Sequence, residues 1–216
     1  MQSIAREDLP GLFLQLRDVF AAQRNYLIEL DGKVGDSDLG ITMNKGFAAA
    51  CDSVSGNAGD PIGRTLQLAG MAIAKAAPST MGTLVATGFM RGGKALDQSA
   101  AIGTAEMSQF WQAFSQGIAE RGKAKPGDKT VLDVLLPLAR SLEQSAVAGD
   151  PLPKSMQDAF SVASESLQAT KNMVAQHGKA ACFQEKTLGL QDAGATVAVL
   201  IIETMHKFVS QSRSST

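Results

Sequence analysis

The sequence predicts an all-α protein, in which eight antiparallel helices run up and down as a barrel or bundle. Three observations predict it. Apolar residues recur at steps of three and four along nearly the whole chain, the period of one face of a helix. Strict two-residue alternation occurs nowhere over a useful length, which argues against strands. The connections between periodic stretches are mostly short, and short connections favour antiparallel neighbours. Composition agrees. The 216 residues are 44% hydrophobic but only 5% aromatic, and they include 32 alanines, so small side chains allow close helix packing.

Taken in order, the first stripe is Leu9, Leu12, Phe13, Leu16, Val19, Phe20 and Leu27. A Gly/Ala-rich stretch over 40–55 reads as the second helix. Ile62, Leu66, Ala69, Ile73 and Ala76 mark the third, and a second Gly/Ala-rich stretch over 80–97 the fourth. Met107, Phe110, Phe114 and Ile118 form the fifth; Val131, Leu135, Leu138 and Leu142 form the sixth. The seventh is the clearest: Leu152, Met156, Phe160, Ala163, Leu167, Thr170 and Val174. Ala198, Ile201, Met205 and Phe208 make the last. Breaks rich in Gly, Pro and Asp fall at Gly32–Asp38, Gly56–Pro61, Pro78, Asp97–Gly103, Gly122–Asp128, Gly149–Pro153 and His177–Asp192. No linker, low-complexity tract or solenoid repeat divides the chain, so one domain over 1–216 is expected.

Charge and cysteine content remove several classes of function. Twenty basic and 21 acidic residues give a net charge of −1, which leaves no electrostatic footprint for nucleic acid or an anionic membrane. Cys51 and Cys182 are too few for a disulfide scaffold and lack metal spacing. No secretory leader opens the sequence, and the longest apolar run, Ala193 to Ile202, is short for a bilayer. A cytoplasmic enzyme is expected.

Three connections hold more specialised residues than a turn requires. The first places Asp31, Asp36 and Asp38 within eight residues among glycines, hard oxygens that suit Mg²⁺ or Ca²⁺. Its plainer reading is a polar turn, with Gly35 ending one helix and Asp36, Ser37 or Asp38 capping the next. The second, Pro78-Ser79-Thr80, opens a helix whose free N–H groups can receive phosphate, or is an ordinary cap. Neither a Walker A loop nor a dinucleotide fingerprint is present. The third combines Arg121 to Thr130 with Gly178-Lys179-Ala180 and Gln191 to Thr196; Asp128 and Asp192 both read as N-caps. The connection before Asp192 is long, and long loops in compact domains are often functional.

In this order the segments resemble the L subunit of dihydroxyacetone kinase, the nucleotide-binding DAK2 domain. The likeness is carried by Leu30-Asp31, Gly35-Asp36-Ser37-Asp38-Leu39-Gly40, Met43-Asn44-Lys45-Gly46-Phe47, Arg121-Gly122-Lys123, Pro126-Gly127-Asp128-Lys129-Thr130, and Gln191-Asp192 with Gly194-Ala195-Thr196. It implies a barrel of eight antiparallel helices holding ADP or ATP and two Mg²⁺ ions in the loops at one end. It implies metal ligation by Asp31, Asp36 and Asp38. It implies nucleotide contacts at Leu39, Gly40, Ile41 and Thr42, at Gly122 and Val131, and at Lys179, Asp192, Ala193 and Gly194.

Three positions depart from the family pattern. Leu39 stands where most members have histidine, which leaves only the backbone to meet phosphate there. The usual Gly-Gly-x-Ser-Gly loop is replaced by Lys75-Ala76-Ala77-Pro78-Ser79, with Ser79 and Thr80 as the substitutes and Lys75 either supplying charge or solvated. Lys179 replaces an arginine and keeps its charge without the bidentate geometry.

The resemblance further implies a divided enzyme. A separate K-type subunit holds a short-chain ketose, and this chain presents the phosphoryl donor. Two donors stay open: exchanging ATP, or a tightly held ADP rephosphorylated by a phosphotransferase-system protein. A regulatory, non-catalytic nucleotide binder is the alternative. Of the two histidines, His206 reads as solvated and His177 borders the late loop.

Overall fold

The computed structural model describes residues 1–57 and 59–211. Nine α-helices lie among the described residues: α1 (Leu9–Ala22), α2 (Arg24–Asp31), α3 (Leu39–Gly56), α4 (Ile62–Ala76), α5 (Thr80–Ala95), α6 (Thr104–Gly122), α7 (Leu132–Ala148), α8 (Leu152–Ala169) and α9 (Ala193–Ser210). The count exceeds the expected eight because the first stripe bends at Gln23, whose backbone leaves helical geometry at ψ 3°. Bonds from Gln23 N–H to the Val19 carbonyl (2.8 Å) and from Leu27 N–H to the Gln23 carbonyl (3.0 Å) carry the chain through the bend.

Eight of these helices close a ring. Each of α3 to α8 packs on the next, α9 returns to α1, and α1 packs on α3; α2 lies across α3 and α9. Each stripe named above turns most of its large apolar residues inward, including Leu9, Phe13, Ile73, Phe114, Leu138, Met156 and Ile201. The interior is aromatic at its middle. Phe20 stacks on Phe47 at 4.1 Å, and Phe89 meets Phe13, Phe47, Phe110 and Phe114 at 5.5–6.1 Å. Few aromatics suffice because they are gathered in one place. Glycines on α5 make room for them: a Cβ on Gly88 would lie 2.6 Å from the Phe114 ring, and one on Gly92 2.5 Å from Phe110.

The only strands among the described residues are two residues long. β1 (Ile4–Ala5) pairs antiparallel with β2 (Ala101–Ile102), Ile4 opposite Ile102. So short a pair is invisible to alternation, and it ties the N-terminus to the α5–α6 connection. α9 is longer than its apolar run suggested. Its 18 residues are long and apolar enough to cross a membrane by length and composition, yet most of that span is buried inside the ring, the setting of a core helix. His206, expected in solvent, is half-buried on α9 and stacks on Phe160 at 5.7 Å; burial lowers its pKa.

Alternate connections of an up-and-down ring share an end. The α2–α3, α4–α5, α6–α7 and α8–α9 connections therefore converge. The last is longer than the expected break, because α8 stops at Ala169. A 3-10 turn follows at Thr170–Asn172 and a kinked 3-10 stretch at Lys179–Thr187.

Candidate functional site

Where those four connections meet, a cleft of about 220 Å³ opens. Its floor is the aspartate loop. α2 delivers Asp31 at its last turn, and the Asp31 carboxylate reaches forward to accept the N–H of Asp38 (3.1 Å) and of Leu39 (3.4 Å). Asp31 thus does the capping that the sequence assigned to Asp36, Ser37 or Asp38. Asp38 occupies the N-cap position of α3, but its side chain makes no capping bond. Gly35 is required by close approach, since a Cβ there would lie 2.7 Å from the Asp31 carbonyl oxygen.

Carboxylate oxygens of Asp31, Asp36 and Asp38 all lie within 4.8 Å of one another. Three like charges at that separation repel unless a cation sits among them. A hard-oxygen donor set on a short, glycine-flanked turn fits Mg²⁺, which keeps several waters and takes few protein carboxylates. Lys179 reaches over from the far wall and ion-pairs with Asp36.

The start of α3 forms one rim. Leu39 is buried and lines the cleft. Gly40 is packed against the Arg24 carbonyl, so any Cβ would overlap α2. Thr42 N–H bonds the Asp38 carbonyl (2.9 Å) and its side chain is buried, while the N–H groups of Gly40 and Ile41 lie in the first turn, without intrahelical acceptors. At the start of α5, Ser79 accepts the Gly82 N–H (3.0 Å) as an N-cap, and Thr80 lines the cleft. Lys75 is exposed on the last turn of α4 and lies off the cleft.

The opposite wall is built from the α6–α7 and α8–α9 connections. Asp192 caps α9, accepting the Ala195 N–H (2.6 Å), as the sequence suggested. Burial pushes its carboxyl up to about 6, against the pull of Ala195 and Lys129. Asp128 does not cap α7. Its carboxylate takes the Lys125 N–H (2.7 Å) and His177 Nε2 (2.8 Å), and the Lys125 bond, aided by His177, holds its pKa low. The buried Asp133 carboxylate instead accepts the N–H groups of Gly127 (2.5 Å) and Thr130 (2.7 Å).

Of the residues singled out from sequence, the cleft brings together Asp31, Asp36, Asp38, Leu39, Thr80, Lys179, Asp192, Ala193 and Gly194. Gly40, Ile41, Thr42, Ser79, Gly122 and Val131 lie outside its lining. Val131 is buried at the start of α7, and Gly122 ends α6 beside Leu84. Met81, Gln191 and Lys129 also line the cleft, and sequence reasoning assigned none of them a site role, although Gln191 and Lys129 stand in its motifs. Lys129 stands inside the Pro-Gly-Asp-Lys-Thr motif, but a lysine beside an exposed glycine turn looks solvated in one dimension. Its burial comes from the late loop folding over it.

The DAK2 domain family model matches residues 33–207. The ADP-binding subunit DhaL of the PEP-dependent dihydroxyacetone kinase of Escherichia coli is 32% identical over 203 residues, covering 94% of this chain and 97% of that protein. The L-erythrulose kinase of Pectobacterium atrosepticum is 30% identical over 93% of this chain, which spans only 34% of that enzyme. The crystal structure of the C. freundii dihydroxyacetone kinase in complex with AMP-PNP and Mg²⁺ superposes with a TM-score of 0.71 at 22% identity, over 96% of this chain and 35% of that one. The last likeness supports the helical ring, and the first two support kinship along nearly the whole length. The chain belongs to the DAK2 domain family, and DhaL-type subunits of dihydroxyacetone kinases are among its relatives.

Proposed function

We propose that this chain is the subunit that presents a Mg²⁺-bound nucleotide for phosphoryl transfer to a short-chain ketose, dihydroxyacetone or a relative, held on a separate K-type subunit. The observation that carries the reading is the division of labour at the aspartate loop. Asp31 serves the backbone, while Asp36 and Asp38 point chemistry-bearing oxygens at the same point with no capping duty.

Mg²⁺, bound as two ions, would neutralise a polyphosphate as negative charge moves toward the leaving oxygen. Asp31, Asp36 and Asp38 would hold it. Helices α3 and α5 both begin at the cleft, at Leu39 and Thr80, and their uncapped first-turn N–H groups would orient phosphate oxygens. Lys179, now paired with Asp36, offers its charge to the phosphates from the opposite wall. The bond from the terminal phosphorus to its bridging oxygen breaks as the ketose hydroxyl attacks in line. The proton of that hydroxyl leaves on the partner's side, and the residues of this chain supply positioning and charge. ADP as a resident cofactor, refilled by a phosphotransferase-system protein, is favoured over free ATP because a relative covered over 97% of its length bears the name ADP-binding subunit of a PEP-dependent kinase.

Calorimetry with ADP and ATP, each with and without Mg²⁺, tests the binding, which should require the metal. Replacing Asp36 and Asp38 together by Asn should lower transfer in a reconstituted K–L mixture at least 100-fold. A double variant as active as the parent would overturn the role of Asp36 and Asp38, and a parent that binds nucleotide without supporting transfer would leave only a non-catalytic nucleotide binder.

A further inference from the structure

Lys129 is the one lysine the reaction above does not use and the fold nevertheless buries, at 3% exposure. Its ammonium carries three N–H donors and no acceptor. All three are spent on backbone carbonyls of the late loop: Met173 (3.1 Å), Thr187 (2.5 Å) and Leu190 (2.7 Å). Met173 stands at the entry of that loop, and Thr187 and Leu190 at its exit. One ammonium therefore ties both ends of an eighteen-residue segment together, as the neck of a compact surface loop.

The side chain is aimed there by its backbone. Lys129 adopts φ +58°, a left-handed conformation uncommon for a residue with a Cβ. The Asp133 carboxylate holds that turn by taking the N–H groups of Gly127 and Thr130 on either side. The neighbouring Asp128 adds its carbonyl to the Gln176 N–H (3.0 Å) and its carboxylate to His177. Within the loop, Thr187 Oγ1 accepts the Ala175 N–H (3.0 Å), and Gly189 N–H bonds the carbonyl of Lys171, just before the loop (2.8 Å). The tip so fastened carries Lys179, and the exit runs straight into Asp192.

We propose that Lys129 is a positioning residue for the nucleotide: its ammonium fastens the 173–190 loop at the neck, so that Lys179 and Asp192–Gly194 face the three aspartates across the cleft. This rests on the nucleotide reading above. A lysine suits the task better than an arginine, because three separate carbonyls around one nitrogen match an ammonium and not a planar fork.

The test pairs Lys129→Met with Lys129→Arg in the full chain, using Mg-ADP as the probe. Both variants should keep the helical amides protected against hydrogen exchange. The Ala175, Gln176 and Gly189 amides should lose at least tenfold protection in Lys129→Met, and Mg-ADP affinity should fall at least tenfold in both variants. Affinity within twofold of the parent, or loop amides still protected in Lys129→Met, overturns the proposal. If Lys129→Met does not fold, the ¹⁵N-labelled parent decides. Its slowly exchanging Lys129 ammonium resonance should shift when Mg-ADP is added, and a resonance indifferent to Mg-ADP overturns the proposal. A parent that binds no Mg-ADP at all refutes the nucleotide reading instead, and loop protection in Lys129→Met then still decides whether the neck is fastened.

Discussion

Asp31 and Asp38 sit seven residues apart and do different work. Asp31 accepts two N–H groups at the start of α3, whereas Asp38 makes no capping bond, so removing each should have opposite consequences in metal-free protein. Asp31→Ala should cost about 1 kcal/mol, the usual value of a lost cap. Asp38→Asn should be neutral or mildly stabilising, because it relieves carboxylate repulsion. Thermal unfolding in EDTA reads both, and an equal loss in the two variants would contradict the assignment. Asp192 adds a pH dependence. Its carboxyl lies near 6 when folded against 3.8 in the open chain, so the folded state holds the proton more tightly. The resulting stabilisation is complete below about pH 4 and is lost as the pH rises through 6. Asp192→Asn should keep the cap and escape this loss. Relative to the variant, the parent should lose on the order of 2 kcal/mol between pH 4 and 6, after discounting for its partial exposure to the cleft. Denaturant titrations of the two proteins across that range check it.

Helix α5 shows why a Gly/Ala-rich stretch still makes a stable element here. Its glycines lower intrinsic helix propensity, and packing offsets that by letting Phe110 and Phe114 lie against the backbone. Gly88→Ala would gain propensity and still overlap the Phe114 ring at 2.6 Å. The expected net effect is a loss of about 1–3 kcal/mol, the range for overpacked cores. A stabilised Gly88→Ala protein in chemical denaturation would mean that the ring yields more easily than its burial implies. Helices were legible from the period of their apolar residues because that period is local. The bend at Gln23 was not, since Gln23 is an ordinary helix former and nothing near it breaks the stripe. The end of α8 was missed for the same reason: Thr170 and Val174 continue the pattern, yet Thr170 Oγ1 turns back to Leu167 and receives the Asp192 N–H.

At the scale of the molecule, the helical ring is the frame and the loop end is the instrument. Ligand that binds only the folded ring should stabilise it by mass action. At 100 times its dissociation constant, Mg-ADP should add about 2.7 kcal/mol. For a chain of this size that raises the unfolding midpoint by about 5–10 °C. The shift should vanish when EDTA removes Mg²⁺ and in the Asp36→Asn, Asp38→Asn double variant. Differential scanning calorimetry with the four combinations of metal and nucleotide measures it. A midpoint that rises equally with ADP alone would place the nucleotide elsewhere than on the aspartates.

The amino-acid order alone was enough for the helices, the antiparallel arrangement and the clustering of the three loop aspartates, because apolar period and short-range carboxylate spacing are carried within a few turns of chain. Even the near-zero net charge of −1 was informative, although it conceals a local excess of carboxylate at one end. The tertiary structure decided which loops meet, and it did so through the ring: alternate connections of an up-and-down barrel share an end whatever their separation in sequence. Only that convergence brought Lys179 onto Asp36 and buried Lys129 among carbonyls 44 to 61 residues away. A buried charge is defined by what folds over it, and no window of sequence around Lys129 contains the loop that does.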